Sequence, residues 1–343
     1  MKPSESIVYP YAQPPGAGEA PELVPGIRWV QMPLPFELNH INLWLLEEAD
    51  GWTVIDTGIH LDEIKAHWDT VLAAHCREKP LKRIIVTHCH PDHLGLARWL
   101  GEKTGAAIWI SDGEMLNGYA WFHEVPNYDM GGMADFFLRH GLDAARADTI
   151  RERRPNYRGR VDGLPLEHRR LMEDDLLRIG GNDWRVIIGH GHSPEHASLY
   201  CAERGVLISG DMLLPRISTN VSVTAGNPDD DPLGWFLDSI ERLTELPDDT
   251  LVLPSHGKPF RGIHARVAQL AAHHEERFAA LLAVLDTPKS ACDLIPILFK
   301  YTLDPHQMMF AMGESIAHLN YLEHAGHIRR ALGADGVFRF AAK

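Results

Sequence analysis

The segment Thr87-His88-Cys89-His90-Pro91-Asp92-His93 places three imidazoles and a carboxylate within seven residues. Imidazole and carboxylate together are the ligands expected for zinc, iron or manganese held for hydrolysis. Where a chain leaves a strand, His88 and His90 point the same way and Cys89 the opposite way, because extended side chains alternate with period two. Pro91 then turns the chain, so Asp92 and His93 can face a second point close by. Two ligands to one ion and two to its neighbour is the natural division. Metals about 3.5–4 Å apart can clamp a hydroxide and polarise a carbonyl together. Four ligands do not complete two coordination shells, so about three more are needed. Candidates follow apolar runs at three places: Gly189-His190-Gly191-His192-Ser193-Pro194-Glu195-His196, Gly210-Asp211 and Ser255-His256-Gly257. An exposed polar loop could carry the same letters, but it would not cap an apolar strand each time. Twenty-one of the 343 residues are histidine. The clustering of several at ligand spacing is what gives that excess meaning.

The elements that must hold these residues can be read from periodicity. Strand-like runs span Ile27–Met32, Ile41–Glu47 and Trp52–Ile55, the last ending in Asp56-Thr57-Gly58. Leu61–His75 has helical spacing, with Ile64, Trp68, Val71 and Leu72 on one face. Arg83–Thr87 reads as a buried strand running into the histidine cluster, and a helix begins near His93. Ala107–Ile110 is a further short strand. The strand pattern resumes at Trp184–Ile188, Ala197–Cys201, Val206–Ser209 and Thr250–Leu253. This is the pattern of a layered α/β domain whose chemistry sits at strand ends. Between the two halves, about 112–173, lies a mostly helical insertion expected to act as a lid. It carries Arg151, Arg153, Arg154, Arg158 and Arg160, which either pair with nearby acids on a solvated face or grip an anionic substrate. Residues 1–25 are proline-rich and expected to lie on the surface as an extended arm. From His264 a long helix precedes shorter ones, and Val337–Phe340 reads as a terminal strand. His273 and His274 on the long helix are expected at the surface.

Composition excludes several classes. Apolar residues make up 45% and charged residues 23%, with a net charge of −14, as in an ordinary globular protein. The negative field works against general nucleic-acid binding. No stretch approaches the length of a membrane span, and the N-terminus does not read as a secretory signal. The four cysteines are scattered, which suits a reducing, cytoplasmic compartment.

In their order along the chain, the T-H-x-H-x-D-H, G-H-S-P, S-G-D and P-S-H-G elements resemble the metallo-β-lactamase superfamily, and Asp56-Thr57-Gly58 matches its D-T-G element. The likeness runs from roughly Val30 to Gly262. It implies an αβ/βα four-layer sandwich with a dinuclear site at one edge. Carried over position by position, His88, His90 and His192 would bind one metal and Asp92, His93 and His256 the other, with Asp211 bridging. Asp56 would orient ligands from behind through hydrogen bonds. The family pattern has a single histidine before Ser-Pro. His192 is therefore chosen as ligand, with His190 as a supporting neighbour and His196 as a structural one. The C-terminal segment resembles the winged-helix tail of the β-lactamase-like protein 2 group.

The domains so implied are 1–263, a catalytic unit with the insertion at about 112–173, and 264–343, a helical winged-helix-like unit. The expected cofactors are two divalent ions, zinc first, with iron or manganese as the other candidates. A metal-activated hydroxide would attack a thioester, ester or lactone carbonyl, with Asp92 orienting the nucleophile or shuttling its proton. The rival readings are a metal-dependent nuclease acting on RNA or DNA and a low-turnover metal-binding regulator. The expected partner is a small-molecule substrate, with neither nucleic acid nor membrane. The tail is expected to pack on the main domain or to form a homodimer.

Overall fold

The computed structural model describes residues 6–36, 38–152, 157–300 and 302–343. Its first sheet has seven strands, from β1 (Glu22–Val24), β2 (Ile27–Pro33), β3 (His40–Glu48) and β4 (Gly51–Ile55) to β5 (Leu81–Ile85), β6 (Ala107–Ile110) and β7 (Arg169–Arg170), paired in chain order. The first four are antiparallel and the last three join in parallel. The second sheet holds β8 (Leu176–Ile179), β9 (Asn182–Gly189), β10 (His196–Cys201), β11 (Val206–Gly210) and β12 (Leu251–Pro254), in the order β12-β11-β10-β9-β8.

Alternation along the strands builds the layers. In β10 and β11, Ala197, Leu199, Cys201, Val206 and Ile208 face a core shared with Trp29, Trp44, Ile55 and Ile85 of the first sheet. Their neighbours Tyr200 and Leu207 point to the opposite face, as does Val252 of β12. In the first sheet, Leu43, Leu45, Val54 and Ile84 turn outward onto α1 (Asp62–His75), through Ile64, Trp68 and Val71. Period-two strands with both faces apolar require a covering layer on each side. The result is helix, sheet, sheet, helix.

The outer layer of the second sheet is larger than the sequence suggests. It contains α5 (Met130–Leu138) and α6 (Ala144–Arg151), which follow α4 (Asp112–Phe122) in the insertion, together with α7 (Pro232–Arg242). The C-terminal helices α8 (Ile263–Leu282), α9 (Ala291–Leu298) and α10 (Pro305–His324) complete it. Met133, Phe137, Ala147 and Ile150 share one core with Phe278, Leu294, Met312 and Ile316. The insertion is thus helical as expected, but α5 and α6 are packed scaffold, and its last residues form the edge strand β7. The chain ends in an antiparallel ribbon of β13 (Ile328–Leu332) and β14 (Phe338–Ala342).

Other expectations need correction. The helix after the histidine cluster is broken into α2 (Pro91–Leu94) and α3 (Ala97–Thr104). Gly95 sits at the break, where an added Cβ would lie 2.2 Å from the Pro91 carbonyl oxygen and 2.7 Å from that of Gly58. His274 is buried, its Nδ1 lying 3.2 Å from Nε2 of His318. The N-terminal arm docks: Val8 pairs with Arg261, and Glu22–Val24 adds a strand. Met1–Glu5, Arg153 and Arg154 lie outside the described residues. All four cysteines are free. Among the described residues no helix is long and apolar enough to cross a membrane.

Candidate metal centre

Five strand ends converge at one edge of the two sheets. Asp56 follows β4, the His88–His93 loop follows β5, His192 follows β9, Asp211 follows β11 and His256 follows β12. Three overlapping groups bring their ligand atoms within 4.8 Å of one another: His88, His90 and His192; His88, His93 and Asp211; Asp92, His93 and His256. His88 Nε2 lies 2.8 Å from His90 Nδ1 and 3.2 Å from His192 Nε2. His256 Nε2 lies 3.4 Å from Asp92 Oδ2 and 3.4 Å from Asp211 Oδ1. Asp211 Oδ2 stands 3.5 Å from His192 Nε2 and 3.6 Å from His93 Nε2. Its carboxylate therefore reaches both sets.

The imidazoles are held from outside. His93 Nδ1 donates to Asp56 Oδ2 at 2.7 Å, His256 Nδ1 to the His40 carbonyl at 2.8 Å and His192 Nδ1 to the Asn220 carbonyl at 2.8 Å. With each outward nitrogen used as a donor, the neutral ring has its Nε2 lone pair aimed inward. Asp56 also accepts from the Thr87 amide at 2.8 Å and from its hydroxyl. It does so from a left-handed backbone, φ 63°, a conformation that aspartate tolerates better than most residues.

Charge in the cluster is tightly linked. Burial works against a charged His93, yet Asp56, Asp92 and Asp211 together hold its pKa well above the ordinary value. Burial also opposes a charged His256, and Asp211 and Asp92 push its pKa up to about 10. Burial would raise Asp211, but His256 and His93 hold it well below the usual carboxylate range. Burial and then His93, His90 and His192 push His88 well down.

The donor set fits a pair of cations. Atoms bound about 2.1 Å from one tetrahedral ion stand roughly 3.4 Å apart, close to the separations above. The buried His93 Nε2 has no hydrogen-bond partner and faces Asp92 and Asp211, each at 3.6 Å. A cation is what such an inward nitrogen lacks.

The histidines around the site are sorted by the loops. His190 is exposed, its Nδ1 bonded to the Pro194 carbonyl at 2.6 Å, and it lies outside all three groups. His196 is buried and accepts from the Asp211 amide at 3.0 Å. His40 accepts from the Gly257 amide through Nε2, while His60 pairs with Asp162 and His123 stacks on Tyr119. The Cys89 side chain turns into the core of the first sheet, where it meets the Asn117 amide. Of the arginines, Arg151 pairs with Asp135 and Asp148, and Arg158 lies over Phe122. Arg160 lies over Phe36 at 4.7 Å, close enough to feel the charge of Asp92.

Besides Asn220, two supporting residues escaped the sequence reading. Buried Asn42 donates to the carbonyls of Pro254 and Gly257, at 2.9 and 2.8 Å, and so brackets His256. An amide at the second position of the strand-like run Ile41–Glu47 was its signal. Glu114, fully buried on α4, accepts from the Cys89 amide at 2.9 Å and the Glu195 amide at 2.7 Å. It ties the His88–His93 loop to the loop of His192. Its place in Ser111-Asp112-Gly113-Glu114 looks like ordinary helix capping, so nothing local marks this use. The Glu114→Gln variant turns one acceptor into a donor facing an amide N–H, at an expected cost of about 1–3 kcal/mol. Denaturant unfolding of metal-free protein measures it; an unchanged midpoint would remove Glu114 from this role.

Comparison with known proteins agrees with the geometry. Residues 37–256 match the family model described as metallo-beta-lactamase superfamily, and residues 278–343 match the metallo-beta-lactamase-like C-terminal domain. The crystal structure of a beta-lactamase domain protein from Burkholderia ambifaria is 46% identical, with a TM-score of 0.92 and 98% of each chain covered. A Bacillus subtilis (strain 168) protein, "Probable metallo-hydrolase YqjP", is 24% identical over 86% of this chain and 91% of its own length. The acyl-coenzyme A thioesterase MBLAC2 of Gallus gallus is 25% identical over 73% of this chain and 83% of its own. By the extent of these matches and by the cluster at its strand ends, the chain belongs to the metallo-β-lactamase superfamily and is a metal-dependent hydrolase.

Proposed function

We propose that the protein hydrolyses a thioester, ester or lactone, thioesters first, at a dinuclear zinc centre. The observation that carries this reading is the Asp211 carboxylate, which faces His192 with one oxygen and His256 with the other. His88, His90 and His192 would hold one ion and Asp92, His93 and His256 the other, with Asp211 between them. Ions held there supply Lewis acidity at a carbonyl oxygen and bring the pKa of water toward neutrality. Asp92 is the carboxylate placed to orient the nucleophile and carry its proton, because its side chain remains 19% exposed while His93 is fully buried. The likeness to the Gallus gallus thioesterase supports the thioester preference, and the free cysteines suit a reducing cytoplasm. The three C-terminal helices and the ribbon β13–β14 fit a winged-helix-like unit over 264–343, packed on a catalytic unit over 1–263.

Arg160 would meet an anionic end of the substrate. It is half-buried, and among the described residues no carboxylate lies within ion-pair distance of it. A charged hydrogen bond of about 1.5–3 kcal/mol corresponds to roughly 10–100-fold in affinity. Zinc-loaded protein is tested against thioesters, esters and lactones with neutral and anionic ends, and against RNA. Turnover is expected on the carbonyl substrates. Arg160→Met should raise KM about 10-fold or more for anionic substrates alone. Cleavage of RNA with no carbonyl turnover would favour the nuclease, and no turnover at all the regulator.

A further inference from the structure

Asp211 opens a long segment, 211–231, that contains no helix or strand. Its carbonyl accepts from the Thr219 hydroxyl at 2.6 Å, which closes residues 211–219 into a ring. The residue after that closure is Asn220, whose carbonyl fixes the His192 imidazole. One closed loop therefore sets two of the ligand-type residues. Pro215, within the ring, abuts the residue that follows His256: a Cβ added to Gly257 would lie 2.7 Å from Pro215 Cγ. Carbonyls folded into such a ring need donors from outside it.

One side chain supplies them. Arg266, in the first turn of α8, donates from Nε to the Leu214 carbonyl at 2.6 Å and from Nη2 to the Ile217 carbonyl at 2.7 Å. Its remaining terminal nitrogen reaches Gln269 Oε1 at 3.4 Å. The side chain is buried, and among the described residues no carboxylate pairs with it. Burial pulls its pKa below the ordinary arginine value. A buried cation without a counter-ion is costly, more so beside a site whose donors fit two further cations. Simple packing would be served better by an apolar side chain. What offsets the cost is the planar guanidinium fork, which spans two carbonyls at once. Further along the segment, α10 adds a lesser tie, from the Val223 amide to the Gly313 carbonyl at 3.2 Å.

We infer that Arg266 is a positioning residue for the metal centre: by clamping the Leu214 and Ile217 carbonyls it holds the 211–219 ring, and with it the Asp211 carboxylate and the Asn220 carbonyl behind His192. The inference rests on Asp211 being the bridging ligand. It gives α8 a task in a reaction centre to which that helix contributes no ligand. Support behind a ligand is worth about 10–100-fold in metal affinity.

The test uses the full chain loaded with zinc, with chelator competition to measure affinity and the visible spectrum of the cobalt-substituted protein to report ligand geometry. Arg266→Met should weaken zinc about 10–100-fold and shift the cobalt bands. Arg266→Lys, which keeps the charge and can reach one carbonyl, should lose less. Thr219→Val opens the same ring with a side chain of nearly equal volume, and it should move affinity and spectrum in the same direction. Leu270→Ala, a buried apolar truncation one turn further along α8, should lower the melting temperature while leaving both readouts unchanged. Native affinity and spectrum in Arg266→Met and Thr219→Val would overturn the inference, as would equal losses in Leu270→Ala. Asp211→Asn separates the two levels: if it keeps both metals, the bridging role fails and the inference falls with it. If it loses metal while Arg266→Met and Thr219→Val remain native, the inference alone fails.

Discussion

Asp211→Asn should leave a folded protein that has lost hydrolytic activity by about 10³-fold or more, well beyond the 10–100-fold typical of residues behind the ligands. Every strand around Asp211 is independent of its side chain: β11 and β12 pair through backbone, and the Asp211 amide and carbonyl are bonded to His196 and Thr219. The change therefore falls on charge. The native carboxylate faces His192 and His93 with one oxygen and His256 with the other. An amide replaces an anionic oxygen by an N–H group, which cannot bind a cation. One ion should be lost on dialysis and the other weakened. Metal analysis with turnover on a single thioester measures both, and near-native kcat with two metals retained would defeat the bridging role. Metal-free Asp211→Asn should also show His256 titrating nearer the ordinary imidazole range, because the carboxylate that does most to raise it is gone.

The second large effect separates two neighbouring histidines. His192→Ala removes a ring whose Nε2 is 3.2 Å from that of His88, and it should cost one metal and about 10²–10³-fold in activity. His190→Ala removes an exposed ring whose Nδ1 bonds to the Pro194 carbonyl. It should keep both metals and turn over within a few-fold of the parent. Reversed phenotypes would exchange the two assignments.

Much of the site could be read from the chain. The H-x-H-x-D-H cluster carries its own geometry, because the strand ends just before it and alternation puts His88 and His90 on one side. The strand ends at Gly189, Gly210 and Pro254 were legible for the same reason: period-two apolar runs stop where ligand-type residues begin. The supports were not. Asn220 and Glu114 reach their partners across sequence separations of 28 and 81 residues, and their own neighbourhoods are ordinary loop and helix cap. That α5 and α6 of the insertion belong to the packed core was not legible, because helical spacing shows that a face is apolar without showing what it meets. Only the fold brings Met133 and Phe137 against α10.

By itself the sequence determined the ligand chemistry, the strands that deliver it and the family order, since all three depend on residue type and local period. The tertiary structure decided which histidine of 190 and 192 turns inward. Gly191 lies at φ 100°, where a Cβ would lie 2.2 Å from the Pro232 carbonyl oxygen and 2.6 Å from the Phe236 nitrogen. The loop is steered by α7, which enters the chain some forty residues later. It also decided that the C-terminal helices grip the Asp211 loop, because a carbonyl finds its donor by packing and no local pattern records the partner.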